Sequence, residues 1–373
     1  MRRSVATAGL AMMGVAGQLG AQSLPVEVTA KLGGRLQYQF NTTSVAEVEL
    51  GELAQVAGST FEMRRLRVAV NLRVDDWITA LVEPDFTLGD LQTRHAWVNF
   101  AIDSAFEVRV GQFKKPFSRV QLTSSLEYAA IERGLRIRSL QDAYAVADSA
   151  AASPVLGSFL GKVVLGEEQE LLDRFGYMSY EQGASVHGRI GAVEYDIGVF
   201  NGSGPDGRDD NDGKSLAGRV LWNLPTTIPM AVAGGVSYRE VTDGDAAVVV
   251  EGTAFSVDIE VGEYRRAGLH VIAEGVVGDN PGSAETFVAG QAVVSLYRPI
   301  TSRRLAGIEP LVRMSWGDPN VEIEGDEGLL WTSGLNLHLP GRNRLQLNWD
   351  VFVPVGERFE TKHAIRAQAQ VAW

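Results

Sequence analysis

The 373-residue chain contains no cysteine and five histidines. Without thiols there is no disulfide framework and no thiolate metal site. The histidines, His95, His187, His270, His338 and His363, are scattered without metal-ligand spacing. No G-x-S-x-G or related nucleophile motif occurs. No metal, cofactor or catalytic residue is therefore expected. Long apolar runs are missing as well: beyond the extreme N-terminus no stretch reaches the ~18 uncharged apolar residues that a membrane helix needs. Positive charge is in deficit, with 34 Lys and Arg against 46 Asp and Glu and a formal net charge of −12. That balance argues against a general nucleic-acid binder.

What is present begins with MRRSVATAGLAMMGVAGQLGAQS. Arg2 and Arg3 form a positive start, Ser4 to Gly17 an apolar core, and small residues follow. This pattern predicts a secretory signal over residues 1–21, cleaved near Ala21, and one mature domain over 22–373. From there the chain alternates. In HAIRAQAQVAW, residues Ile365, Ala367, Ala369, Val371 and Trp373 share one face, and Arg366, Gln368, Gln370 and Ala372 share the other. Period two marks a β-strand between two unlike environments. Leu66, Val68, Val70 and Leu72 against Arg65, Arg67, Asn71 and Arg73 repeat the pattern. So do Leu345, Leu347, Trp349 and Val351 against Arg344, Gln346, Asn348 and Asp350.

About sixteen such segments recur, each near the ~9–11 residues of a tilted membrane strand. They start near Gly33, Thr60, Asp76, Gln92, Ala105, Glu181, Val193, Ser215, Met230, Val248, Ala267, Glu285, Leu305, Leu329, Asn343 and His363. The third, tenth and twelfth alternate most faintly. Long polar connections follow odd-numbered strands and short turns follow most even ones, the asymmetry of an up-and-down membrane barrel. Only a closed barrel pairs every backbone group of a sheet in hydrocarbon, and closure removes the edge that the last strand would otherwise present. The expected fold is all-β, a transmembrane antiparallel barrel of about 16 strands, apolar outside and polar within. Phe40, Trp77, Trp97, Phe100, Trp222, Tyr297, Trp316, Trp331 and Trp373 are the candidates for aromatic girdles.

The polar faces supply basic residues for a lumen wall: Arg65, Arg67, Arg73, Arg109, Arg189, Arg219, Arg344 and Arg366. Acids on the same faces, among them Glu107, Asp196, Asp258 and Asp350, leave pairing that only stiffens the wall as an equal reading. GSGPDG at Gly202–Gly207 fits G-x-G-x-x-G formally, but Pro205 and RDDNDG follow, so it is a loop and not a dinucleotide site. The acids Asp206, Asp209, Asp210 and Asp212 lack the order of a calcium loop and read as solvated.

The stretch VRVGQFKKPFSRVQLTSSLEYAAIERG, Val108 to Gly134, resembles the phosphate-selective porins O and P, through VGQFKKPFS and LTSS…IERG. The likeness extends upstream to RRLRVAVNLRVDDWITALVEPDF and RHAWVNF and downstream to VEYDIGVFNGSG. The C-terminal half matches in pattern alone. The resemblance implies a sixteen-stranded outer-membrane channel, typically a homotrimer, with the third external loop folded into the lumen. It also implies a lipid bilayer with lipopolysaccharide as surroundings, delivery by the barrel-assembly machinery, and small anions as the permeating species. In this chain the matching connection, Lys114 to Tyr180, is the longest without a persuasive strand, and SSLEYAAIERGL within it predicts a short helix capped at Ser124 or Ser125. Its basic residues Lys114, Lys115, Arg119 and Arg133 are the constriction candidates, because rings of Lys or Arg select anions at a narrow point. Pairing with Glu127, Glu132 and Asp142 is the competing reading. Trp373 resembles the terminal aromatic that marks bacterial barrels for insertion. Three alternatives remain: a non-selective or cation-preferring porin, an outer-membrane barrel enzyme, and a soluble periplasmic β-protein.

Overall fold

The computed structural model describes residues 26–43, 59–87, 91–134, 172, 175–202, 204, 213–243, 248–280, 285–324, 327–354 and 361–373. The expected signal segment and the acids Asp142, Asp206, Asp209, Asp210 and Asp212 lie outside these residues. Sixteen strands make the wall. They are β1 (Val28–Thr43), β2 (Ser59–Val74), β3 (Ile78–Asp85), β4 (Gln92–Asp103), β5 (Phe106–Lys114), β6 (Tyr180–Ile190), β7 (Val193–Phe200) and β8 (Ser215–Leu224). They continue as β9 (Met230–Asp243), β10 (Val248–Val261), β11 (Gly268–Asp279), β12 (Thr286–Pro299), β13 (Gly307–Asp318), β14 (Gly328–His338), β15 (Arg344–Pro354) and β16 (Lys362–Ala372). Each pairs with its sequence neighbours, and β1 pairs antiparallel with β16 from Arg35↔Ala372 to Thr43↔Ala364. The barrel is closed, and no described helix is long and apolar enough to cross a membrane.

The parity of every clean strand resolves the same way. On β16, Arg366, Gln368 and Gln370 are buried while Ile365, Val371 and Trp373 are exposed. On β15, Arg344, Gln346, Asn348 and Asp350 are buried while Leu345, Leu347 and Trp349 are exposed. Polar side chains therefore fill the interior and apolar ones cover the outside, the inverse of a water-soluble barrel. Two aromatics depart from the girdle. Tyr297 is buried with its ring edge-on to His338, and Trp97 packs against the inward cluster of Phe113, Phe200 and Ala217. Both face the lumen because their parity matches Ser295 and Asn99, the buried polar residues two positions away.

Strand starts agree with the alternation to within two residues except at β1, which begins at Val28 instead of Gly33. The glycine pair looks like a strand boundary in sequence. In the barrel it lies mid-strand, where the bare Gly34 backbone makes room for the Trp373 ring: a Cβ built on Gly34 would sit 2.4 Å from it. The predicted helix also moves. Among the described residues of the long connection, the helix α1 (Arg119–Leu122) is capped by Ser118, whose hydroxyl accepts from Gln121 N. Ser124 caps a single turn, with its carbonyl accepting from Glu127 N and Tyr128 N at 2.9 Å each.

Candidate functional site

The connection between β5 and β6 meets inward-facing side chains around much of the barrel. An irregular chain inside a barrel must find partners for its backbone groups, and here the wall provides them. Glu274 on β11 accepts from Ser118 Oγ (2.9 Å), Arg119 N (3.0 Å) and Val120 N (3.2 Å), closing the start of α1. Arg219 on β8 donates to the Phe117 carbonyl at 3.0 Å. Gln37 on β1 and Arg344 on β15 donate to the Ser125 carbonyl at 3.2 and 2.8 Å. Asn336 on β14 and Gln346 on β15 share the Ala129 carbonyl, and Arg313 on β13 takes that of Glu132. Apolar contacts complete the seat. Val120, Tyr128, Ala129 and Ala130 pack on Ile272, Val293 and Leu311, while Phe117, Phe175 and Tyr177 pack on Ala254, Val276, Phe287 and Ala289. The described part of this connection thus lies inside the barrel, leaning on the side made by β8–β16 and β1.

The constriction candidates all belong to or border this segment. Lys115 is fully buried, 2.6 Å from the Gly176 carbonyl and 3.2 Å from Glu181. Arg119 bonds Glu260 through Nε at 3.0 Å. Arg133 braces the segment against itself, donating to the carbonyls of Val120 (3.1 Å) and Thr123 (2.7 Å). Lys114 donates to the Gln121 carbonyl, and its Nζ lies 5.3 Å from the centre of the Tyr180 ring.

The wall candidates divide by height. Arg73 and Arg189 sit at the mouth with the short turns, bonded to the carbonyls of Asp75 and Asp76 and to Glu194. Arg109 is 3.7 Å from Asp196, 3.1 Å from His187 Nε2, and stacked over Trp97 and Phe113. Arg219 pairs with Asp258 through two hydrogen bonds, and Arg366 with Asp350 at 2.8 Å. Arg344 holds the Ser125 carbonyl as above. Arg65 donates to Gln37 at 2.9 Å, and Arg67 bonds Asp85 (2.8 Å) and Glu83 (3.2 Å).

Those last two open onto a group that alternation did not reveal in full. Arg35, Arg64, Arg65, Arg67 and Arg94 converge on three carboxylates, Glu83, Asp85 and Glu132. Arg64 arrives through an irregularity in β2: the register against β1 shifts between Gln37 and Tyr38, pairing them with Arg65 and Met63 and leaving Arg64 as the extra residue. A bulge re-aims a side chain, so consecutive arginines both reach Glu132, Arg64 with two bonds of 2.6 and 2.9 Å. Strict period two would have placed Arg64 in lipid, and the RR pair itself was the available signal. Within each pair the carboxylate lies deeper. The side chains of Arg94 and Arg64 are 26% and 36% exposed, those of their partners Asp85 and Glu132 3% and 4%. Arg94 and Arg64 are thus the members most open to the lumen, while Arg65 and Arg67 are buried with the carboxylates.

A family model, phosphate-selective porin O and P, matches residues 30–263, more than half of the chain. No curated protein matches in sequence. Among solved structures, the chain is similar to an anion-selective porin from Comamonas acidovorans, with a TM-score of 0.62 at 12% identity over 93% of this chain and 100% of that one. It is similar to OmpT of Vibrio cholerae in its trimer form, with a TM-score of 0.56 at 11% identity over 93% and 99% of the two chains. The outer-membrane channel DcaP of Acinetobacter baumannii gives a TM-score of 0.56 at 11% identity over 93% and 97%. At these identities the solved structures speak for the barrel alone; the family model speaks for the lineage. The chain belongs to the phosphate-selective porin O and P family and is a channel of the bacterial outer membrane.

Proposed function

We propose that this channel passes small hydrophilic anions of the phosphate class by diffusion, without a chemical step. The observation that carries the reading is the arginine group: five guanidinium groups share three carboxylates, with Arg64 and Arg94 the most exposed of them, which leaves the lumen beside β1–β4 with an excess of positive charge. Net charge describes the whole surface, whereas selectivity is set where the pore is narrow and screening by water and salt is weak. Lys114, Lys115, Arg119 and Arg133 are further cations in or bordering the inserted segment, with Lys115 and Arg119 paired to Glu181 and Glu260. The Comamonas porin, whose structure is similar, is anion-selective, and a homotrimer is the assembly this reading adopts, as in the Vibrio protein. Export by the N-terminal signal, delivery by the barrel-assembly machinery through Trp373, and a setting of phospholipid and lipopolysaccharide complete the proposal.

The purified protein in a planar bilayer under a KCl gradient should give a reversal potential of the sign set by chloride. A potential of the opposite sign would replace this reading with a cation-preferring porin on the same barrel.

A further inference from the structure

Tyr180 is the first residue of β6 and pairs across the ladder with Lys114, the last of β5. Its half-buried ring is a meeting point of cations. Lys114 Nζ lies 5.3 Å and the Arg94 guanidinium carbon 5.6 Å from the ring centre. The His95 ring approaches edge-on at 5.0 Å, and the phenol oxygen is 3.5 Å from Arg67 Nη1. Carboxylates gather cations too, but each one cancels a charge. A ring attracts a cation through its quadrupole and leaves the formal charge intact. Arg94 shows the two modes side by side, bonded behind to the buried Asp85 at 3.1 Å and set over Tyr180.

We propose that Tyr180 is the positioning residue of the anion path: beside the partners Arg94 and Lys114 already have, its ring holds both at the lumen surface and adds no negative charge of its own, and so sets the degree of anion preference. This inference rests on the anion reading given above. It assigns the preference to a neutral residue that no count of charges would select. The hydroxyl contributes little, because its distance to Arg67 is at the limit of a hydrogen bond while Arg67 has closer partners in Asp85 and Glu83.

The test compares Tyr180→Phe with Tyr180→Leu by reversal potential in a KCl gradient, with heat-modifiable migration as the check on folding. Tyr180→Phe should keep the chloride-to-potassium permeability ratio. Tyr180→Leu, similar in apolar bulk but without the quadrupole, should lower it about two- to fivefold. A purely structural role would broaden or reduce conductance in Tyr180→Leu and leave the ratio where it was, and that result overturns the proposal. Should Tyr180→Leu fail to fold, 3,4,5-trifluorophenylalanine placed at position 180 keeps the ring shape and weakens its quadrupole. It should lower the ratio in the same direction, and an unchanged ratio again overturns the proposal. A cation-selective wild type would instead remove the anion reading on which the inference stands, an outcome visible before any variant is made.

Discussion

Leu347→Arg and Val68→Arg should prevent stable assembly of the barrel, and Arg94→Gln should not. Leu347 is 52% exposed on the outer face, flanked along β15 by the buried Gln346 and Asn348. Val68 holds the same relation to the buried Arg67 on β2. Both side chains face hydrocarbon, where an arginine costs ~2–4 kcal/mol near the midplane. A guanidinium there has neither carboxylate nor water within reach, and neighbouring strands offer backbone groups already paired in the ladder. Arg94 faces the opposite way, onto the lumen, and Gln retains a donor for Asp85. Heat-modifiable migration of membrane-fraction protein measures all three. Equal loss of folded barrel in the lumen variant and the lipid-face variants would mean that the two faces are not distinct in solvent.

The second large effect is expected at the seam. Sixteen strands close through one pair, β1 with β16, and its end is made by Gly34 and Trp373, each donating its amide to the other's carbonyl at 3.2 Å. The indole lies over Gly34, so the bare backbone of one residue and the ring of the other form a single fit. Gly34→Val puts side-chain carbons where the ring lies, and Trp373→Asp replaces the ring by a charge at the outer face. Both variants should leave unassembled protein in the periplasm. Because both damage the same contact, the double variant should be little worse than either single one, as coupled neighbours are not additive. Wild-type levels of folded barrel in both single variants would show that the seam closes without this contact and that Trp373 carries no assembly role.

How much of this was legible varies along the barrel for a physical reason. The strands β2, β7, β15 and β16 announce themselves because their inner faces meet water or polar side chains and their outer faces meet lipid. β10 and β12 are fainter. Their inward Ala254, Phe287, Ala289 and Val293 are apolar because they seat Phe117, Val120, Tyr128, Phe175 and Tyr177 of the inserted segment. That packing joins residues far apart in the chain, and no local period records it. The faint third strand has a related cause: Leu81 faces inward, and the register against β4 shifts between Glu83 and Pro84. At the site, Arg65, Arg67 and Arg219 were readable from parity, whereas Arg313 was hidden by the inward Leu311 beside it, and Arg35, Arg64 and Arg94 by the glycine pair and the register shifts. Tyr180 and Lys114 stand at the two ends of the long connection, and only strand pairing shows that they are neighbours.

The absence of cysteine provides the most direct measurement of the whole account. Leu81→Cys places the chain's one thiol on the lumen face of β3, two residues from Glu83, and Val82→Cys places it on the exposed outer face. Membrane-impermeant methanethiosulfonates of opposite charge would then be applied to protein in bilayers, and their rates compared with those toward a free thiol. A closed, water-filled barrel with an arginine-topped wall predicts that Leu81→Cys reacts, faster with the anionic reagent than with the cationic one, while Val82→Cys stays unmodified. Faster reaction with the cationic reagent, or a reactive Val82→Cys beside an inert Leu81→Cys, would contradict it.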